Sequence, residues 1–413
     1  MIKSIYKKGE NVKEFELKNN IKCVYKQNKN TPRIAVCFDI EITKPAKIPG
    51  IYSMVNRLLL QGTKNRTAEE LTNELEENAI EISCEGKRDY LKFSLLCLNE
   101  DFEHGLEILQ DIIENSTFDD TEKEKIKTEG ELTASLDSAN VRAQDNFAKT
   151  LYKGHFYGDT YTRLLENLDK INKDNVKDAY NDIMKFGAKH LAVVGDIDFE
   201  TTEKLLNKYL GDISNENIRE NEIPTPSLDK SETVEYIKDD ANQAQIYQGW
   251  LVPTYKSEDY APLLVLTTIL GASGLSSRLF TELRDKKGLA YTVRSIYEPF
   301  RTAASFQIYI ATEPKNIQTA LAGFKEEIQK IKDVLVPEEE LHNAKNNYIG
   351  KRQYLAETNI QQAGTLVHFA NYGLGFNYQD KVIEQVKHVT AQQVQDVARN
   401  YLNEVSVISI LRP

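Results

Sequence analysis

The sequence predicts an α+β protein of two related domains, each an antiparallel sheet flanked by long helices. Strand-like segments follow one another in adjacent pairs, whereas the helical segments are long and grouped, which favours α+β over a doubly wound parallel sheet. A polar segment with two prolines, "SNENIRENEIPTPSLDKSE", lacks apolar periodicity and divides the 413 residues into nearly equal parts. The predicted boundaries are 1–213 for the first domain, 214–232 for the linker and 233–413 for the second domain.

A motif shared by the two parts supports their relation. "ENLDKINKDNVKDAYNDI" begins at Glu166 and "EQVKHVTAQQVQDVARNY" begins at Glu384, an offset of 218 residues. Apolar positions coincide along both segments, and a short apolar stretch follows each of them. The shared order is a polar cap, a helix and a strand, near the end of each part. This agreement indicates duplication.

Elements of the first domain follow from apolar runs and capping residues. Strands are predicted where short runs are apolar, and the last of them also alternates with period two. The predicted strands are 34–42, 80–86 and 89–98. A capping box at Thr67–Glu70 opens one helix, and the same logic at Thr121–Glu124 opens another. The predicted helices are 50–63, 67–79, 101–115 and a long one from Thr121 to about residue 150.

The second domain repeats this plan. The predicted strands are 244–252, 290–297 and 303–312. Helices are expected over about 257–270 and 275–287, and Gly288 suits the position just after a helix C-terminus.

Composition and charge exclude several functions. The net charge is −11, from 52 basic and 63 acidic residues, and no basic stripe is visible, which argues against a nucleic-acid partner. The most apolar stretch, 261–275, is too short and too interrupted to span a bilayer. The N-terminus has no apolar core of a signal peptide. We expect a soluble, cytoplasmic chain, or a periplasmic one if a signal peptide was removed.

The cysteines and histidines give no metal site from neighbouring positions. No two of the six histidines lie three or four residues apart, and the cysteines form no CxxC pair. Buried free thiols are the favoured interpretation over disulfides or zinc ligands. The cysteines are Cys23, Cys37, Cys84 and Cys97.

The segment "LGASGLSSRLFTELRDKKGLAYTV" allows two interpretations. Its glycines match neither common phosphate-binding pattern, so a phosphate site is disfavoured. Alternatively, Arg284 at the end of a helix and Tyr291 at the start of a strand point into one cleft. Arginine can grip carbonyls or carboxylates, and a tyrosine hydroxyl can donate to a developing oxyanion. On composition alone, a solvated arginine beside a half-buried tyrosine is the favoured interpretation of the pair.

The segment "GIYSMVNRLLLQGT" at 50–63 carries polar residues on one helical face. Ser53, Asn56 and Arg57 have the spacing with which a helix often holds a metal and a base. Serine is a poor zinc ligand, arginine repels a cation, and asparagine cannot accept a proton as a base. The helix has a catalytic spacing without catalytic residues.

These segments resemble the M16, or insulinase-like, metallopeptidases. "LSSRLFTELRDKKGLAYTV" is similar to the signature of the family's C-terminal half, including its Arg-x6-Tyr pair at Arg284 and Tyr291. Active members carry H-x-x-E-H on a helix that ends in "GT", as 50–63 does. The resemblance implies that Ser53 and Arg57 replace the two histidines and Asn56 replaces the glutamate. The third ligand would correspond to Glu131, for which an ordinary surface glutamate is the favoured interpretation because its partners are missing.

The resemblance implies a function for such a chain. In two-chain members one subunit carries zinc, and the other lacks the motif but supplies the Arg/Tyr pair. We therefore expect a non-catalytic subunit, inactive alone and without its own metal or cofactor. Its expected partners are a homologous zinc-bearing subunit and an unfolded peptide, bound as an added strand. The alternatives are a scaffold protein like the core subunits of respiratory complexes, a stand-alone peptide-binding homodimer and an unrelated hydrolase.

Overall fold

A computed structural model describes residues 12–413, so the expectation about a signal peptide largely concerns residues outside the described ones. The chain divides into two compact units, neither of which is continuous in sequence. The first unit comprises residues up to Gly130, Arg163–Ile223 and Gln353–Lys381. The second unit comprises Glu131–Thr162, Pro224–Arg352 and Val382–Pro413.

The strands are β1 Val12–Glu16, β2 Lys22–Gln27, β3 Arg33–Glu41, β4 Glu81–Gly86, β5 Tyr90–Leu98, β6 Lys189–Gly195, β7 Glu232–Ile237, β8 Ala244–Val252, β9 Ala290–Pro299, β10 Ala304–Thr312 and β11 Val407–Arg412. The α-helices are α1 Ile51–Leu58, α2 Ala68–Glu77, α3 Phe102–Asn115, α4 Thr121–Leu136, α5 Ala139–Leu151, α6 Tyr161–Leu165, α7 Lys173–Phe186, α8 Phe199–Tyr209, α9 Tyr260–Thr267, α10 Ile317–Asp333, α11 Glu338–Tyr354, α12 Asn359–Asn371, α13 Tyr378–His388 and α14 Ala391–Tyr401. Two π-helical segments, Thr268–Ala272 and Phe280–Lys286, lie in the second unit.

The sheet of each unit has the same topology, which confirms the predicted α+β fold of two related parts. The first sheet has the order β1-β2-β6-β3-β5-β4, and the second has the order β7-β11-β8-β10-β9. Leaving out β1, the strands correspond one to one in sequence order and in position. Pairing is antiparallel except between β2 and β6 and between β7 and β11, which are parallel. Each sheet is therefore mixed, with one parallel pair in the corresponding place.

The repeated helix and strand keep the offset seen in the sequence. α7 begins at Lys173 and α14 at Ala391, and the strands that follow begin at Lys189 and Val407, each 218 residues apart. Both helices open with a capping box, at Asn172 and at Thr390.

One helix in each unit comes from the other half of the sequence. α12 packs on β3 and β6 of the first sheet, where its Ala363, Leu366 and Val367 join the buried cluster with Val24 and Cys37. α5 packs on β8 and β11 of the second sheet. The Phe147 ring stacks on Tyr247 and occupies the space that a Cβ at Gly249 would need. The two sequence halves thus exchange corresponding helices.

Some local predictions need correction. The predicted helix from Thr121 to about 150 is two helices, because the chain turns at Asp137 and Ser138 and α5 starts from the extended Ser138. The Thr121–Glu124 capping box does not form. The Thr121 hydroxyl donates to the Phe118 carbonyl, and the Glu124 carboxylate faces Arg57. The Thr67–Glu70 box is present as predicted.

The remaining boundaries differ by a few residues. The helix predicted over 50–63 ends at Leu58, and Gly62, with φ of 115°, belongs to the turn that follows. Residues 214–231 contain no helix or strand, and the chain passes from the first unit to the second between Ile223 and Pro224. The domain limits at 213 and 233 stay a prediction.

Candidate functional site

Helix α1 places the zinc-motif positions on its less buried side. The helix begins after Gly50, whose φ of 83° and contact with the Leu164 side chain favour glycine. Its apolar residues turn inward: Ile51, Tyr52, Met54, Val55 and Leu58 are buried. Ser53 is exposed, whereas Asn56 and Arg57 are partly buried. The predicted shared face of these three residues is therefore present in the structure.

Arg57 forms an ion pair with a buried carboxylate of α4. Its Nη1 lies 3.3 Å from Glu124 Oε1, and Glu124 is 4% exposed. The Thr128 hydroxyl lies 3.4 Å from the same oxygen and 3.6 Å from Met54 Sδ, so α1 and α4 are in direct contact. A cation is thus already present beside this carboxylate, on the side chain of Arg57.

The residues at the zinc-motif positions do not fit zinc. The Arg57 guanidinium is a donor only, and its charge opposes that of a metal ion. The buried Asn56 Oδ1 accepts no hydrogen bond from the described residues, and an amide cannot act as the base. Glu131 is exposed on α4. Among the described residues, no three His, Cys, Asp or Glu side chains are grouped so that they could hold a metal ion.

The turn after α1 is fixed by a network of charged residues. The Thr63 hydroxyl donates to Asp111 Oδ2 over 2.7 Å, and Arg66 donates to both Asp111 and Glu74. Hydrogen bonding to Arg66 lowers the pKa of the Glu74 carboxyl to about 2. Side-chain hydrogen bonds therefore hold the "GT" turn in place, although the helix before it carries neither zinc ligands nor a general base.

The second unit brings Arg284 and Tyr291 together. Arg284 Nη1 donates to the Tyr291 carbonyl over 2.8 Å. The guanidinium carbon lies 4.5 Å from the Tyr291 ring centre and 4.4 Å from the Phe280 ring centre, so Arg284 contacts two aromatic rings. Tyr291 is 78% exposed, and its hydroxyl has no hydrogen-bond partner within residues 12–413. The alternative of a half-buried tyrosine is wrong for this residue.

Tyr291 lies at a β-bulge. Thr292 pairs with Ala311, but the next pair is Ala290 with Thr312, so Tyr291 is the extra residue on β9. A bulge redirects a side chain and takes the residue out of the regular ladder. The Tyr291 carbonyl is here bonded to Arg284 instead.

The helical segment before β9 is itself well anchored. Leu283 packs so closely on Gly323 of α10 that a Cβ at Gly323 would come within 2.2 Å of it. Gly288 has a φ of 61° and follows the π-helix, as its predicted place after a helix C-terminus requires. π-helical segments occur frequently at functional sites.

Sequence reasoning did not identify the roles of two residues at these sites. Glu124 was interpreted as a capping residue, and no local pattern connects it with Arg57, which is 67 positions away. Phe280 lies four residues before Arg284, a spacing that allows side-chain contact on a helix and was a usable signal.

The fold and the two sites define a class: a duplicated peptidase-like α+β protein that lacks the metal ligands of a catalytic centre. The chain matches the family model of the insulinases, peptidase family M16, over residues 22–163. It also matches the model of the peptidase M16 inactive domain over residues 170–348. The chain belongs to the M16 peptidase family, as a member without the H-x-x-E-H motif.

Curated relatives extend along most of the chain. An uncharacterized zinc protease, YmxG, of Bacillus subtilis is 23% identical over 97% of this chain and 98% of its own length. A protein of Helicobacter pylori that carries the name "Non-peptidase homolog YmxG" is 26% identical over 84% of this chain and 80% of its own length. The family thus includes relatives named as proteases and one named as a non-peptidase.

Solved structures share the fold. A protease from Helicobacter pylori superimposes with a TM-score of 0.87 and 21% identity, covering 98% of this chain and all of that one. A peptidase M16 inactive domain from Pseudomonas fluorescens also gives a TM-score of 0.87, at 20% identity and 98% coverage of both chains. In the part of the chain that the structure describes, no helix is long and apolar enough to cross a membrane.

Proposed function

We propose that this chain is the non-catalytic subunit of a two-chain M16 zinc peptidase. It would help to bind an unfolded peptide and would supply Tyr291, supported by Arg284, to the active site of a zinc-bearing partner. The bond-breaking chemistry would belong to the partner, since α1 offers neither a metal site nor a base.

One observation carries this proposal. Arg284 and Tyr291 keep an ordered arrangement that leaves the Tyr291 hydroxyl exposed and unbonded, although the zinc positions have been lost. Exposure alone does not distinguish Tyr291, since Tyr354 is also 70% exposed, but Arg284 holds the Tyr291 carbonyl and lies 4.5 Å from its ring centre. A hydroxyl in this state is free to donate to a peptide carbonyl or to a developing oxyanion.

The sheet edge beside Tyr291 suits an extended peptide. β9 is the last strand of the second sheet, so one side of it has no neighbouring strand among the described residues. An extended peptide can add to such an edge through main-chain hydrogen bonds, which recognise no particular side chains. Binding there would place the peptide next to Tyr291.

The test is the complex with a homologous chain that carries H-x-x-E-H. Cleavage of an unfolded peptide should require both chains and should stop on addition of a chelator. Tyr291→Phe removes one hydroxyl and should lower the turnover of the complex roughly 10–1000-fold while assembly is unchanged.

A matched control is Tyr354→Phe, which makes the same change at another tyrosine that is 70% exposed. Equal turnover for both variants and the wild type would contradict the proposal. A scaffold protein, or a homodimer that binds peptides without cleaving them, would give this result.

A further inference from the structure

We propose that Phe280 and Arg284 are positioning residues that together orient Tyr291, and that Tyr291 is the group of this site that meets a ligand. The inference deepens the proposed function and rests on it for what Tyr291 meets. The orientation of Tyr291 by Phe280 and Arg284 is a property of this chain and can be tested without a partner.

Arg284 contacts both the backbone carbonyl and the ring of Tyr291. Its Nη1 holds the Tyr291 carbonyl, and its guanidinium carbon lies 4.5 Å from the Tyr291 ring centre. Within residues 12–413 this is the hydrogen bond that the guanidinium makes. The remaining N–H donors of the guanidinium make no hydrogen bond within residues 12–413, so the hydrogen bond that the structure shows for Arg284 goes to Tyr291.

Phe280 provides a second aromatic contact for Arg284. Its ring is almost fully buried, and the ring centre lies 4.4 Å from the guanidinium carbon. A guanidinium that contacts two rings can rotate away from them only by losing those contacts. Leu283, packed on Gly323, fixes the helical segment that carries Phe280 and Arg284.

Tyr291 needs this support because of where it lies. The bulge removes Tyr291 from the regular β9–β10 ladder, and its side chain is mostly exposed. Among the described residues its ring has no aromatic neighbour, and its hydroxyl has no hydrogen-bond partner. Without Arg284, the ring would sample several rotamers in water. The contacts among Phe280, Arg284 and Tyr291 therefore orient a surface tyrosine that would otherwise be mobile.

The first experiment measures the support in the full chain alone. Phenylglyoxal reacts with arginine side chains, and mass spectrometry of the peptide that contains Arg284 gives its rate of modification. Phe280→Leu removes one ring face, and the rate should rise by about two- to fivefold, the effect of losing one exposed cation–π contact. Phe280→Tyr keeps the ring and should react like the wild type. Phe300→Leu, the same change just beyond the other end of β9, is the matched control.

An unchanged rate of Arg284 modification in Phe280→Leu would overturn the positioning role, whatever the chain does in a complex.

The second experiment uses the complex with the zinc-bearing partner and an unfolded peptide. Phe280→Leu should lower kcat by about two- to fivefold with KM within about twofold of the wild type, and Phe280→Tyr should restore kcat.

The results separate this inference from the proposed function. If Tyr291→Phe lowers kcat and Phe280→Leu does not, the positioning role is wrong. If Phe280→Leu raises the reactivity of Arg284 but neither variant changes turnover, the support of Tyr291 is upheld and the proposed function fails.

Discussion

Replacing Asp39 by asparagine should stabilise the protein in alkaline solution and not in acid. Asp39 lies in the middle of β3, 1% exposed, with Lys92 of β5 and His190 of β6 as its register neighbours. Neither carboxylate oxygen accepts a hydrogen bond from the described residues. Burial raises the pKa of this carboxyl from 3.8 to about 7, with Lys92 opposing the rise and Glu85 adding to it.

The size of the effect follows from the difference in pKa between the folded and unfolded states. A carboxyl whose pKa is raised on folding contributes stability below its unfolded pKa, and this contribution disappears as the pH rises through about 7. An unfolded aspartate titrates near 3.9, so the ionised Asp39 costs the folded state about 4 kcal/mol at pH 8.5. Asparagine has the same shape and no charge, so it avoids this cost.

The assay is urea unfolding of both proteins at pH 5 and at pH 8.5. A buried amide without partners costs about 1–3 kcal/mol at either pH. That cost cancels when the stability difference at pH 5 is subtracted from the one at pH 8.5. The remaining gain for Asp39→Asn should be about 3 kcal/mol, because an unfolded aspartate is already largely ionised at pH 5 and only the range from pH 5 to about 7 contributes to the difference. Amide hydrogen exchange along β3 should show the same pH dependence locally.

Asp111→Asn is the matched control because this aspartate is also buried but has partners. Its burial raises the pKa, yet hydrogen bonds from Thr63, Asn115, Arg66 and Asn65 lower it below the usual value overall. Asp111→Asn should therefore destabilise the protein at neutral pH. If Asp39→Asn changes stability equally at pH 5 and pH 8.5, the assignment of Asp39 as a buried, unpaired carboxyl is refuted.

Three further predictions concern the metal position and the exchanged helix. The purified chain should hold no stoichiometric zinc after dialysis, because Ser53, Asn56 and Arg57 cannot ligate it; one zinc per chain by elemental analysis would contradict this. Arg57→Met should lower the free energy of unfolding by about 1–3 kcal/mol, because it removes the nearer of two cations beside the buried Glu124 and leaves only Lys127, at 3.8 Å. Glu124→Gln added to it should recover part of the loss in the same urea titration. Gly249→Ala should lower the free energy of unfolding by about 1–3 kcal/mol, since the new Cβ would lie 2.4 Å from Phe147 Cζ. Adding Phe147→Leu should reduce the loss of melting temperature that Gly249→Ala causes. Equal melting temperatures for Gly249→Ala and the wild type would refute the packing of α5 on β8.

The sequence by itself determined which chemistry is missing and how the chain is repeated. The residue types at positions 53, 56 and 57 exclude zinc and a base whatever their surroundings, because a guanidinium and an amide keep these properties in any fold. The repeat is readable since a helix and the strand after it are local in sequence. The spacing of Arg284 and Tyr291 across one glycine turn is local too, which is why the pair could be expected to meet.

The tertiary structure decided the features that depend on distant parts of the chain. Apolar periodicity shows that α5 and α12 each have a face to bury, but it does not say which sheet will cover that face, and the two halves exchange these helices. The bulge at Tyr291 depends on the register with β10, which no residue of β9 specifies alone. The pairing of Arg57 with Glu124 and the burial of Asp39 likewise arise only when separate elements pack, because a charge becomes costly or satisfied through neighbours that sequence order does not place beside it.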